Sequence, residues 1–494
     1  MRRGKTIVAN TLESEESRVA VLDPSGHLLD IYLERMWERQ RAGEIYKARV
    51  DNVLPGMNAA FLNLGDGRNG FLYLADLGRK PSPGEELVVQ VAKTARKGKG
   101  ARVTPRVSLP GRYVVLVPDG RDVGVSKRVA DEEERKRLKE LGRQVLPEGF
   151  GMIVRTVAEG CGLDEMRCDV EDLMGLWDEI SSAARRTAAP CLLYRDGGLL
   201  ERVLRDELDR DVAEVVLDNP EDLETVTSMC LKFFGPSGGP EVTLYRGRGS
   251  VFEVYGVERE LELALDKKVW LSSGAYLVID QAEALTVIDV NTGKYTGAKD
   301  LRHTVLKTNL EAAEEVARQL RIRAIGGIVV VDFIDMDSEE DRKILLERLK
   351  ELFKGDRHRA RVFGITPLGL VELTRKRSRS DLRSVLTRGC PMCGSSGFVE
   401  REEASAMKLK RAIRKAVGSS SPEAILVAMN PHGARHCLEY LSSWEEEFRC
   451  RIFLKEDPSL QWGKFKLEYQ GQLRQVEHRL VPSSGGAWVV HRTD

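Results

Sequence analysis

The sequence predicts a multidomain α/β protein that carries a small β-barrel near its start and a small α+β unit at its end. Three observations predict it. Two apolar runs, Ala284-Leu-Thr-Val-Ile-Asp289-Val-Asn291 and Gly326-Gly-Ile-Val-Val-Val-Asp332-Phe-Ile-Asp335, each reach an aspartate and are separated by one helix-length segment, the signature of a strand, helix, strand unit. Four short strand-like runs are crowded between residues 43 and 92 with Gly- and Pro-rich turns between them, the spacing of a small barrel. Gly394-Ser-Ser-Gly397 reads as a linker, and residues 401–494 beyond it read as a separate unit.

The 494 residues and 42% apolar content suffice for about three domains with real cores. Lys plus Arg equal Asp plus Glu at 77 each, so net charge neither favours nor excludes a nucleic-acid partner. Eight cysteines in a chain of this length fit a reducing compartment and exclude a disulfide scaffold. The first ten residues hold no apolar signal core, and no apolar run is long enough to span a membrane, so a soluble cytoplasmic protein is expected.

The elements follow in order. Thr6-Ile-Val8 is a first strand, and Arg18–Leu22 and Leu28–Leu33 form a hairpin around Asp23-Pro-Ser-Gly26. Gly43–Val50, Asn58–Leu64, Gly70–Leu74 and Glu86–Ala92 are the barrel strands. A charged helix near 130–141, a strand at Gly151–Thr156 and a helix-rich stretch around Trp177 come next. Strands return at Val242–Tyr245 and from Ala275 onward.

In the aspartate-bearing unit Thr308-x-x-Glu311 has capping-box spacing, which predicts a helix from about 309 to 324 with Leu310, Ala313, Ala317 and Leu320 on one face. Parallel neighbours lie about 4.8 Å apart, and open α/β sheets collect ligands at the carboxyl ends of their strands. Asp289 and Asp332 can therefore share one hard cation, and Asn291, two residues along the same strand face, can reach the cation or orient a carboxylate. The alternative is that these aspartates cap turns. Ser338-Glu-Glu-Asp341 then opens a helix that buries Ile344, Leu345, Leu349 and Leu352 and closes near Gly355.

Phe61 and Phe71 on consecutive barrel strands, with Tyr73 and the basic run Lys93, Arg96, Lys97, Lys99, Arg102 and Arg106, match the way single-stranded nucleic acid is stacked and tracked; core packing is the alternative for Phe61. Arg375-Lys-Arg-Ser-Arg379 with Arg383 and Arg388 either grips phosphates near the metal or forms a solvated loop. Cys390-Pro-Met-Cys393 has zinc-knuckle spacing but supplies two of four ligands, so two chains would each give half; His432, His436 or Cys437 could close the site within one chain, and a redox role is a further alternative.

Taken in order, Gly43-Glu-Ile-Tyr-Lys47, Asn58-Ala-Ala-Phe61, Gly70-Phe-Leu72, Ile153-Val-Arg-Thr156, Leu285–Asn291, Thr308–Ala313, Val331–Met336 and Cys390–Cys393 give residues 1–400 a close resemblance to the ribonuclease E/G family of bacterial endoribonucleases. The lack of a long polar tail is more like the ribonuclease G branch. The resemblance implies a ribonuclease-H-like domain split between residues 1–38 and 201–264, an S1 RNA-binding barrel of the OB-fold type at 39–105, a 5′-end sensor region at 106–200, a DNase-I-like catalytic domain at 265–386, a zinc link at 387–400 and a small C-terminal domain at 401–494. It implies that Asp289 and Asp332 bind catalytic Mg²⁺ with Asn291 in support, and that Arg155 and Thr156, with Gly111 and Val115 as neighbours, hold a 5′-monophosphate. Phe61, Phe71 and Lys99 would contact RNA, and Cys390 and Cys393 would share a structural Zn²⁺ between two chains of a homodimer, with a homotetramer as the alternative assembly.

Lys127-Arg128 departs from a pair of arginines in ribonuclease E, and residues 401–494 match poorly. The extended scaffold that recruits degradosome partners is absent, so no such assembly is expected. The expected function is Mg²⁺-dependent endoribonucleolytic cleavage of single-stranded RNA with a 5′-monophosphate preference, leaving 5′-phosphate ends, in rRNA maturation and mRNA turnover. A non-catalytic S1-type RNA-binding protein is the rival.

Overall fold

The computed structural model describes residues 4–38, 41–94, 100–236, 238–293, 301–354, 356–377, 379–393, 396–480 and 490–491. The chain divides into two compact units, Met1–Leu382 and Arg383–Asp494. It is a mixed α/β protein built on five sheets.

The first sheet of the larger unit joins distant segments. Lys5–Asn10 pairs antiparallel with Glu16–Leu22 and parallel with Val212–Leu217, so residues before and after the barrel share one sheet. Its buried side, including Ile7, Val19, Val21 and Val215, packs on the helices Leu199–Glu207 and Asp222–Phe234. The hairpin turn closes as its sequence dictates, with Asp23 accepting from the backbone of Ser25 and His27 and Gly26 at φ 88°.

The barrel is closed. Ile45–Leu54, Ala59–Asn63, Asn69–Tyr73, Arg102–Thr104 and Glu86–Lys93 pair in that order, and Glu86–Lys93 returns to Ile45–Leu54. Four strands match the sequence expectation, and the fifth is a three-residue strand too short to show alternation. Ala48, Val50, Leu62, Leu72, Val89 and Val103 fill the interior. The next region has a four-stranded sheet, including Val114–Pro118 and Phe150–Val154, against the helices Glu132–Val145 and Leu163–Arg186.

The fourth sheet carries the aspartates. In spatial order its strands are Lys268–Trp270, Tyr276–Gln281, Leu285–Asn291, Gly327–Asp332, Val371–Arg375 and Arg361–Ile365. One face packs on the helices Leu301–Ile322 and Glu339–Lys354 around Ile288, Val316, Leu320, Val331 and Leu345. Two expectations are corrected here. The helix between the strands begins by Leu301, so Thr308 is interior: its hydroxyl donates to the Thr304 carbonyl at 2.9 Å, and Glu311 accepts from the Ser273 backbone instead of closing a cap. In the following helix Leu345 and Leu349 are buried, but Ile344 is 44% exposed and Phe353 takes the core position one turn beyond Leu349. Gly355, the expected stop, lies outside the described residues.

The smaller unit has a four-stranded sheet containing Phe465–Gly471, Ala424–Met429, Arg451–Glu456 and Val490–His491. The helices Glu402–Ser420 and Pro431–Phe448 cover it around Ile413, Leu441 and Trp444.

Candidate active site

Asp289 and Asp332 are register partners on adjacent parallel strands. The alternation that buries Thr286, Ile288 and Val290 turns Val287 and Asp289 to the open face, and Asp332 is exposed beside them. Asn291 donates from Nδ2 to Asp289 Oδ2 at 2.8 Å, holding the carboxylate in one orientation. Burial, then the Asp289 charge, then the Asp335 charge hold Asp332 above the usual carboxylate range. Two repelling carboxylates with solvent access fit a Mg²⁺ ion, which takes one or two protein carboxylates and completes its shell with water and phosphate oxygens. No group of three or more His, Cys, Asp or Glu side chains placed to hold a metal ion occurs among the described residues.

Asp335 was not singled out from sequence, although its place three residues after Asp332 was visible. Trp270 and Tyr276 were also missed. Cross-strand pairing puts Trp270, Tyr276 and Asn291 in one row on the open face, with the Trp270 and Tyr276 ring centroids 5.2 Å apart and Trp270 62% exposed.

Of the four phosphate-binding candidates, Arg155 and Thr156 line a cleft of about 1720 Å³ with Ser126, Arg128, Asp206 and Arg357, whereas Gly111 and Val115 are not part of its lining. Arg155 donates to the Gly111 carbonyl at 2.6 Å and to Asp206 Oδ1 at 2.5 Å, while Thr156 and Ser126 hydroxyls lie 3.1 Å apart. Gly111 must be glycine: a Cβ there would lie 2.5 Å from a carboxylate oxygen of Asp169, whose two oxygens accept from the backbone of Arg112, Tyr113 and Val114. Val115 stands behind, paired across the sheet with Ile153. Arg155 thus already has a carboxylate partner, which sequence reading missed because Asp206 is 51 residues away.

On the barrel, Phe61 and Phe71 are cross-strand partners with ring centroids 5.7 Å apart, and Tyr73 continues the row 4.8 Å from Phe71. Arg102 lies 4.8 Å over the Tyr73 ring. None of the three rings belongs to the barrel core, which disposes of core packing for Phe61. Lys99, with Arg96 and Lys97, lies outside the described residues.

Neither reading of the second basic cluster holds for Arg375 and Arg379, whereas Lys376 and Arg377 are exposed. Arg375 is buried against Asp356 at 2.6 Å and the Ile325 carbonyl at 2.8 Å. Arg379 is half-buried, bonded to Asp30 and the Ile31 carbonyl, over the Tyr32 ring. These arginines are internal cations of the fold, whereas Arg383 and Arg388 are exposed. In the smaller unit Cys390 is exposed, and the Cys393 sulfur accepts from the Gly397 backbone at 3.4 Å. Cys437 is buried among the core residues with its thiol pushed up to about 12 by burial, and His432 stacks on Trp462 at 4.2 Å.

A family model described as "Ribonuclease E/G family" matches residues 108–378. The chain is 37% identical over 436 residues to "Ribonuclease G" of Escherichia coli (strain K12), covering 84% of this chain and 89% of that one. It is 37% identical over 436 residues to "Ribonuclease G" of Haemophilus influenzae, covering 84% and 88%. Against "Ribonuclease E" of Synechocystis it is 41% identical over 376 residues, which cover 73% of this chain and 56% of that longer one.

Proposed function

Because the chain belongs to the ribonuclease E/G family, we propose that it is an endoribonuclease, a hydrolase that cuts single-stranded RNA within the chain. The observation that carries this reading is the register pair Asp289–Asp332 with Asn291 bonded to one member. Mg²⁺ held by Asp289 and Asp332 would activate the attacking water and offset charge on the scissile phosphate, which leaves 5′-phosphate and 3′-hydroxyl ends. Asn291, bonded to Asp289 Oδ2, would fix the orientation in which that carboxylate holds the ion. Phe61 and Phe71 stack bases and hold the strand single. Arg155 and Thr156 receive a 5′-monophosphate, for which the guanidinium fork and the hydroxyl are suited donors, and this gives a preference over 5′-hydroxyl or triphosphate ends.

The reading includes the domain pattern set out above, with the closed five-stranded ring as the S1 barrel and the aspartate-bearing sheet as the DNase-I-like domain. It includes a cytoplasmic role in rRNA maturation and mRNA turnover. No helix among the described residues is long and apolar enough to cross a membrane. Cys390 and Cys393 would give half of a zinc site shared by two chains, so one zinc per two chains, lost with the dimer on Cys390→Ser and Cys393→Ser, is the expected stoichiometry. The test of the activity is incubation of a labelled single-stranded RNA with and without Mg²⁺. Mg²⁺-dependent internal cuts are expected. Tight binding without cuts would instead favour the non-catalytic RNA-binding protein.

A further inference from the structure

Several buried or half-buried arginines in the larger unit have side-chain acceptors. Arg375 bonds Asp356, Arg379 bonds Asp30, Arg205 bonds Asp196 at 2.9 Å and Arg323 bonds Gln319 at 2.6 Å. Arg112 does not. Its side chain is only 5% exposed, Nε and Nη1 reach no acceptor, and among the described residues it forms no ion pair. Its nearest carboxylate by backbone contact, Asp169, spends both oxygens on three main-chain N–H groups. What surrounds the guanidinium instead is aromatic: the rings of Phe233, Phe234 and Tyr113, with centroids 4.2, 5.2 and 5.4 Å away. Ring faces attract a cation, but less than the desolvation of an unpaired charge costs.

The position of this charge matters. Arg112 lines the same cleft as Arg155 and Thr156. Both of its chain neighbours are tied to Arg155, since the Gly111 carbonyl accepts from the Arg155 side chain and the Tyr113 carbonyl from its backbone at 2.7 Å. Arg155 is offset by Asp206 and Arg357 by Glu207 at 2.8 Å, whereas Arg112, the most buried of the cleft's arginines, forms no ion pair among the described residues. We infer that Arg112 is a second phosphate-binding arginine of this cleft, whose missing acceptor is a phosphate group of the bound RNA. The inference rests on the reading that Arg155 and Thr156 receive the RNA 5′ end. The phosphate is either the terminal monophosphate, shared with Arg155, or the phosphodiester that follows it.

The test uses the full chain in chelator, so that binding is read without cleavage. Wild type, Arg112→Met and Arg112→Lys are titrated with one short single-stranded RNA carrying either a 5′-monophosphate or a 5′-hydroxyl, at several salt concentrations, and their Tm values are taken without RNA. Arg112→Met should bind 5′-monophosphorylated RNA about tenfold or more weakly, with a salt slope shallower by about 0.7, and Arg112→Lys should recover part of this. The Tm of Arg112→Met should not fall, because an apolar side chain of similar reach replaces an unpaired buried charge. A loss confined to the monophosphorylated RNA assigns the terminal phosphate, and an equal loss on both RNAs assigns the phosphodiester. Unchanged affinity and slope for both RNAs, or an Arg112→Met protein that is destabilised or unfolded while Arg112→Lys binds normally, would overturn the inference and leave Arg112 as a stacking residue. If wild type binds and cuts both 5′ ends alike, the sensor reading of Arg155 fails, yet an equal loss on both RNAs still upholds a phosphate on Arg112.

Discussion

At the strand ends around Asp289 and Asp332, carboxylates stand side by side with no cationic partner among the described residues, whereas in the cleft around Arg155 the cations Arg155 and Arg357 already hold a carboxylate of the protein. The first arrangement would have to take its counter-charge from solution. Arg155 in the second is neutralised in advance, so an anion that reaches it must share or displace Asp206. One site should therefore fail completely when a ligand is removed, and the other should respond in graded steps to changes on either side of its ion pairs.

The largest effect expected is at the strand ends. Asp289→Asn or Asp332→Asn would remove a proposed metal ligand while leaving the aromatic row of the barrel intact, so cleavage should fall by on the order of a thousandfold or more while RNA binding without Mg²⁺ survives. Near-normal turnover of either variant in a steady-state cleavage assay would remove these residues from the metal site.

The cleft should respond by less and in both directions. Arg155→Leu should erase roughly ten- to a hundredfold of the rate preference for 5′-monophosphorylated RNA over 5′-hydroxyl RNA, the scale of one charge-assisted contact at ~1.5–3 kcal/mol. Asp206→Asn, which releases Arg155 from its partner, should widen the same preference. Rates on the two 5′ ends for wild type and both variants check this, and a preference that moves the same way in both variants would show that the ion pair, not the phosphate, is what Arg155 serves.

The barrel comes next. Phe71 lies between Phe61 and Tyr73 in an edge-to-face row outside the core, so Phe71→Ala should weaken single-stranded RNA binding by ~1–3 kcal/mol, the value of one base stack, with little change in Tm. A large drop in Tm with unchanged affinity would return Phe71 to a packing role.

The contrast between the two regions also explains what could be read from the chain alone. Asp289, Asn291 and Asp332 were legible because one strand, helix, strand unit contains them all, and period-two alternation with parallel pairing then dictates their meeting. The aromatic pair Phe61–Phe71 was legible for the same reason, as neighbours in a short hairpin. The cleft was not, because it draws on residues near 30, 112, 155, 206 and 357 that only the folded sheets bring together. Arg375 and Arg379 show the cost: as sequence they are a basic run, and only their partners Asp356 and Asp30 reveal them as internal cations of the fold. The helix start was missed because Thr-x-x-Glu spacing also occurs inside a helix, where a threonine bonds backward to the carbonyl four residues earlier.

The smallest effect separates the regions by the sign of their response to acid. Burial, then Arg375 and Arg379, pushes the His358 imidazole down to about 4, well below its value of about 6.5 in an unfolded chain. The unfolded chain therefore binds more protons than the folded one between those values, so this group's stabilisation is fully present above pH 6.5 and is lost as pH falls toward 4. Asp332 behaves oppositely: its folded value is raised, so protonation in mild acid relieves the repulsion with Asp289 and adds relative stability as pH falls through that value. With partial solvent access and coupling to Asp356, the His358 contribution between pH 7 and 5 should be ~1 kcal/mol. Urea unfolding at both pH values checks it. Wild type should lose more stability on acidification than His358→Gln, and Asp332→Asn should lose more than wild type because it gives up the opposing gain. If all three proteins lose the same amount, neither group governs the acid response, and the opposite charge states of the two regions do not reach the stability of the fold.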